Sequence, residues 1–346
     1  MTCSWENGTW YGESEARQKK GRRIVNKHDL LISLAVERAR LFHELLGLSA
    51  SELESAHVCG DWSPRDVLAH IIAWERYVYD VVRYLRARQP VPSSSETSDE
   101  NAYNARAVAV WRTKPLQELL DTLAIAHRQL TVAAAGCSQA QLDSVPSSGT
   151  GVENIASNVM SIAQHDAEHA AQIRARRGPS RPGDVGPKVL LQHALNTSRA
   201  ALMTLVDVVP AQQRESLPVT GEWTLKDVAG HIADWDELVV EATLAMEANQ
   251  RIKWEPIDYG EAWNQSHAAA RRTQSWAHVW RNFVDVRGTV VTELAERVME
   301  PDLGRLLPSP WGGEMSFYVC LAIPCRHDME HVEALLTWHA SQPAGN

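Results

Sequence analysis

The chain has no run of eighteen apolar residues, no CxxC pair, only three phenylalanines and no excess of positive charge. The first absence excludes a membrane-spanning helix, which needs about twenty predominantly apolar residues. The N-terminal stretch, with Glu6, Glu13 and Glu15 before Lys19-Lys20-Gly21-Arg22-Arg23, also lacks the apolar centre of a signal peptide. The expected address is the cytoplasm. Cys3, Cys59, Cys137, Cys320 and Cys325 form no even framework, which suits a reducing compartment and reads as buried small apolar residues. A formal charge of −9 and a pI near 5.9 speak against a protein built to neutralise phosphates or coat an anionic membrane. Nucleic acid and membrane are not expected partners; a small molecule is.

What is there is repetition. At 346 residues the chain exceeds one ordinary domain of roughly 100–200 residues and suits two. His165-Asp166-Ala167-Glu168-His169 returns as His327-Asp328-Met329-Glu330-His331, 162 residues later. Gly60-Asp61-Trp62-Ser63-Pro64-Arg65-Asp66-Val67 returns as Gly221-Glu222-Trp223-Thr224-Leu225-Lys226-Asp227-Val228, 161 residues later. At nearly the same offset Lys27 answers Lys188, Arg38 answers Arg199, His70 and Trp74 answer His231 and Trp235, and Asn104 answers Asn264, with Trp263 in place of Tyr103. This is one domain written twice, with a period too long for a solenoid. The expected divisions are an N-terminal arm over 1–24, a first bundle over 25–178, a Gly/Pro-rich linker over 179–187 and a second bundle over 188–342.

Apolar spacing predicts helices throughout. Leu30, Leu34, Leu41 and Leu45 mark a first helix ending near Gly47. Ser63 then caps a second, with Pro64 at its first position, Asp66 completing a capping box, and Trp62 and Val67 as a hydrophobic staple. A third helical region is predicted over about 101–135, between the polar stretches Pro90–Glu100 and Val145–Gly151, and a fourth carries Ile155, Val159, Ile162, His165, His169 and Ile173 on one stripe. His70 lies on the core-facing stripe of the second helix.

Two histidines four apart on a helix stand about 40° and about 6 Å apart, so both rings can reach one ion. Each half offers three: His70, His165 and His169, then His231, His327 and His331. Packed helices can bring such stripes to one interior point, and three neutral imidazoles leave positions open on a divalent ion, as catalytic sites do. The motif also fits H-x-x-E-H, which in some metalloproteases adds a general base. A glutamate directly before the second histidine stands about 100° from it on the helix, so Glu168 and Glu330 are candidates for acid–base or outer-layer roles, not assigned bases. Trp74 and Trp235 read either as cavity walls or as core, and Asn104 and Asn264 as pocket groups or as hydrogen bonders between helices. Pro324 takes the place of Ile162, which predicts a differently shaped second site or a fourth helix that begins late. Cys325 is a candidate outsider ligand there.

The pattern W-[ST]-x-x-D-V-x-x-H-I-x-x-W in each half, followed some 95 residues later by H-x-x-x-H, resembles the DinB-like metal-binding four-helix bundle superfamily. That superfamily includes YfiT-like putative hydrolases, bacillithiol transferases and the metal domain of mycothiol-dependent maleylpyruvate isomerase. The resemblance implies an all-α fold of two tandem up-down-down-up bundles related by a pseudo-two-fold. It implies Zn²⁺ or Ni²⁺ on the six histidines, one ion per bundle, and either a monomer with an internal pseudo-dimer or a homodimer. Two functions are expected from different classes. One is an enzyme, most simply a transferase joining a low-molecular-weight thiol to an electrophile, or a related hydrolase or isomerase. The other is a non-catalytic protein that sequesters a metal or ligand under stress.

Overall fold

Leucine and valine at three- and four-residue intervals, closed off by Ser, Thr, Pro and Gly, fold this chain as helices. In the computed structural model the described residues are 25–55, 57–92, 97, 99–144, 154–177, 184–248, 261–294, 297–309 and 311–342. The expected arm over 1–24, most of the linker and the Val145–Gly151 loop lie outside them. The chain divides into two compact units, Met1–Leu45 with Ala50–Pro179, and Leu46–Ser49 with Ser180–Asn346. Among the described residues no helix is long and apolar enough to cross a membrane.

Unit 1 contains α1 (Lys27–Leu45), α2 (Ala50–Ser55), α3 (Pro64–Arg86), α4 (Glu100–Trp111), α5 (Leu116–Ala135), α6 (Gln139–Asp143) and α7 (Ile155–Arg177). The four long ones form the bundle: α1 packs on α7, and α3 on both α5 and α7. Leu30, Leu34, Val78, Val82, Leu130, Val159 and Ile162 share one core cluster, each 0 % exposed. The capping box forms as expected. The Ser63 hydroxyl accepts from Asp66 N, and Asp66 Oδ2 accepts from Ser63 N, both at 3.2 Å. The single helical region expected over 101–135 is corrected to two helices, because Pro115 stands as N-cap of α5 and a proline within one continuous helix would forfeit a backbone bond.

Unit 2 repeats the plan with α8 (Lys188–Val206), α9 (Leu225–Glu247), α10 (Glu261–Ala270), α11 (Trp276–Gly288) and α12 (Phe317–Ser341). It adds two small antiparallel pairs, β1 (Pro218–Thr220) with β2 (Trp223–Thr224) and β3 (Leu306–Pro308) with β4 (Glu314–Ser316). The repetition reaches single bonds. Lys27 Nζ donates to Cys137 O and Lys188 Nζ to Val298 O, both at 3.0 Å.

Pro324 does not delay α12, which begins at Phe317 and runs through it. A proline inside a helix costs about 3 kcal/mol. Phe317, Tyr318, Cys320 and Leu321 are all buried ahead of it; Phe317 and Leu321 alone contribute about 1.5–3 kcal/mol each on burial and hold those turns in place. The expectation of a late start is therefore corrected.

Candidate metal centre

The centre of unit 1 is built by three helices. α3 supplies His70, α7 supplies His165 and His169 one turn apart, and α4 supplies Asn104 behind them. His165 Nε2 stands 2.8 Å from His70 Nε2 and 2.9 Å from His169 Nε2. In unit 2 His327 Nε2 lies 3.1 Å from His231 Nε2 and 3.0 Å from His331 Nε2. In each group the three candidate ligand atoms all lie within 4.8 Å of one another. So the six predicted histidines come together as two triads, one per unit.

The hydrogen bonds in unit 1 show what the triad fits. Trp74 Nε1, which can only donate, donates to Asn104 Oδ1 at 2.9 Å. That oxygen is therefore an acceptor, and His70 Nδ1, 3.0 Å away, must carry its proton and donate too. The Nε2 of His70 is then a bare lone pair aimed at the other two rings. Gln172 Oε1 plays the same part for His169 Nδ1 at 2.8 Å. Two lone pairs thus meet at His165 Nε2, which with at most one N–H can answer only one of them. A cation answers all three. Nitrogen–metal bonds of about 2.0–2.1 Å put two donors about 2.9 Å apart at a right angle and about 3.3 Å apart at the tetrahedral angle. The four pairs through His165 and His327, at 2.8–3.1 Å, lie near the right-angle value.

Burial holds the triads neutral. It lowers the pKa of His70 and His165 well below the ordinary value, and neighbouring histidine charges add to this. Burial also brings His169 to about 4. In unit 2 burial, then the neighbouring His331 charge, takes His231 to about 3 and His327 to about 2, while His331 falls to about 4, chiefly by burial. These are imidazoles prepared to bind a cation without first losing a proton.

Beneath each triad lies a buried ion network anchored on the aspartate of the five-residue motif. Arg38 donates to Asp166 at 2.8 Å and to Glu75 at 2.9 Å, and His127 Nδ1 lies 2.7 Å from Glu75. In unit 2 Arg199 and Arg287 both bind Asp236 and Asp328. Burial raises the pKa of Asp166 despite the opposing charge of Arg38. Two arginines reverse that balance for Asp328, which falls to about 2 although burial pushes it up. The pairing of Arg38 with Arg199 and the recurrence of Asp166 as Asp328 were the signals of this layer in the sequence. Nothing there marked His127 or Arg287.

The remaining predicted residues fall in several places. Trp74 and Asn104 stand behind His70, in its hydrogen-bonding layer, at 6 % and 9 % exposure. Trp235 and Asn264 are half-buried. The ring of Trp235 lies 5.5 Å from that of His327. Asn264 favours the charged form of His231, yet neither its Oδ1 nor His231 Nδ1 reaches a partner of normal hydrogen-bond geometry. Glu168 is half-buried with its pKa raised by burial, and Glu330 is exposed. Neither is among the grouped ligand atoms. Trp62 and Trp223, expected as staples, lay their rings 4.9 and 5.1 Å from those of His70 and His231. Cys325 is corrected as a ligand: its Sγ donates to Ala194 O at 3.5 Å inside the core, and burial pushes its pKa up to about 12.

The family model described as the DinB superfamily matches residues 33–173 and again 194–335. No curated protein and no solved structure matches the chain.

Proposed function

The chain belongs to the DinB superfamily, in two tandem copies, and from that premise we propose that it is a metal-dependent enzyme acting on a small reactive molecule. The reaction we assign is transfer of a low-molecular-weight thiol to an electrophile, with hydrolysis or isomerisation of such a compound as the nearest variants. Each histidine triad holds one divalent ion, Zn²⁺ or Ni²⁺.

The observation that carries this reading is the convergence of lone pairs in unit 1, where Trp74 and Asn104 fix the proton of His70 on Nδ1. A divalent ion held by three imidazoles supplies Lewis acidity that lowers the pKa of a thiol or water brought to it. The protein's own part is to present neutral nitrogens, hold them at fixed spacing on two helices of each unit, and place two tryptophan rings around each triad. For moving a proton we nominate Glu168 and Glu330, of which Glu168 already has a raised pKa.

The test is a thiol-consumption assay on protein loaded with Zn²⁺ or Ni²⁺, run against a panel of electrophiles. Turnover abolished by chelation and restored by the ion is expected. Loaded protein that consumes no thiol and hydrolyses no ester or amide would refute the enzymatic reading.

A further inference from the structure

Unit 2 departs from unit 1 at three equivalent positions whose side chains form one feature. Where unit 1 has Ala69, Ala73 and Trp111, unit 2 has Gly230, Asp234 and Arg271. Arg271, just past the end of α10, lies across α9 at Gly230. A methyl group there would stand 2.7 Å from the arginine Cδ and Cζ, and closer still to Nε. The missing side chain is what admits the guanidinium. Its Nη1 donates to both oxygens of Asp234 at 2.6 Å, which fixes its orientation.

Arg271 is 8 % exposed, and among the described residues its Nε and Nη2 have no hydrogen-bond partner. Leaving buried donors unpaired costs about 1–3 kcal/mol each, and more for a charged group. A guanidinium presents donors in a planar fork suited to two carboxylate oxygens. Gly230 directly precedes the ligand His231, and the charge of Arg271 is felt at that ring. The neighbourhood is also the more open of the two. His70, His165 and His169 are each 3 % exposed, whereas His231 is 7 % exposed and His327 and His331 are half-buried.

We propose that the second centre is the one that takes an exogenous ligand, and that Arg271 recognises a carboxylate on that ligand. The first centre, whose three rings are each 3 % exposed, is the less accessible to such a ligand. The division of labour rests on the reading that both triads bind metal. It is written in the substitutions of Gly230, Asp234 and Arg271 for Ala69, Ala73 and Trp111.

The experiment uses the full chain loaded with Co²⁺, titrated with mercaptoacetate and with 2-mercaptoethanol, reading the cobalt–thiolate absorbance. The two thiols differ in whether they carry a carboxylate. Mercaptoacetate is expected to bind roughly tenfold more tightly, at one equivalent per chain, with acetate competing against it and not against 2-mercaptoethanol. Arg271→Met is expected to erase the preference while leaving the 2-mercaptoethanol titration in place. Equal affinities in the unaltered protein, a preference that survives Arg271→Met, or two cobalt ions that respond alike would each overturn the proposal. A chain that retains no cobalt would instead overturn the metal reading beneath it.

Discussion

His70 and Trp74, one turn apart on α3, donate to the same acceptor atom, Oδ1 of Asn104. A candidate ligand histidine is thereby locked in the tautomer a metal needs, because tryptophan cannot accept and so decides which end of the amide faces the imidazole. Asn104→Ala should weaken metal binding at the first centre by about 10- to 100-fold, the usual cost of losing such a partner. Asn264→Ala should change the second centre far less, since among the described residues neither Asn264 Oδ1 nor His231 Nδ1 has a hydrogen-bond partner. Competition with a chromophoric chelator measures both.

The depressed histidine pKa values predict the proton balance of metal binding. At pH 7 all six ligands are neutral in the folded protein, so uptake of an ion should release close to no protons from them. Calorimetry in buffers of different ionisation enthalpy reads this directly. A buffer dependence that amounts to two or more protons per ion, beyond what one bound water can release, would contradict the assignment.

The same shifts predict how the metal-free protein responds to acid. Folded pKa values of about 4 for His169 and His331, about 3 for His231 and about 2 for His327 lie below the unfolded value near 6.5. Below about pH 6.5 the unfolded chain therefore binds more protons than the folded one. Stability of the apo protein should be fully present above that pH and lost progressively as pH falls through the folded values, down to about pH 2. Denaturant titrations across this range test it, and bound metal should flatten the dependence.

The buried networks differ in redundancy. Arg38→Met leaves Asp166 and Glu75 without their arginine, and should destabilise unit 1 by about 3–5 kcal/mol. Arg199→Met leaves Arg287 still bound to both Asp236 and Asp328, so its cost should be clearly smaller. Urea midpoints of the two variants give the comparison.

Much of the fold was legible because its signals are local or repeated. The Ser63 and Thr224 caps need only four residues to declare themselves, and both form. The two triads were legible because three histidines recur, at offsets of 161 and 162 residues, on apolar stripes. What escaped depends on which way a side chain turns in three dimensions. Trp74 and Asn104 turn behind His70, and Trp62 turns onto its ring, distinctions that helical spacing does not carry. Arg271 escaped altogether, since its place is set by an absent side chain at Gly230, forty-one positions away. The late start expected from Pro324 fails because the burial of Phe317, Tyr318, Cys320 and Leu321 outweighs one lost backbone bond.

The most direct test of the account is metal content per folded chain in the unaltered protein, His165→Ala and His327→Ala. Two equivalents are predicted for the first and about one for each variant. Content unchanged in either variant would show that the residue replaced there is not a ligand, and an unaltered protein that holds no metal would contradict the account at its centre.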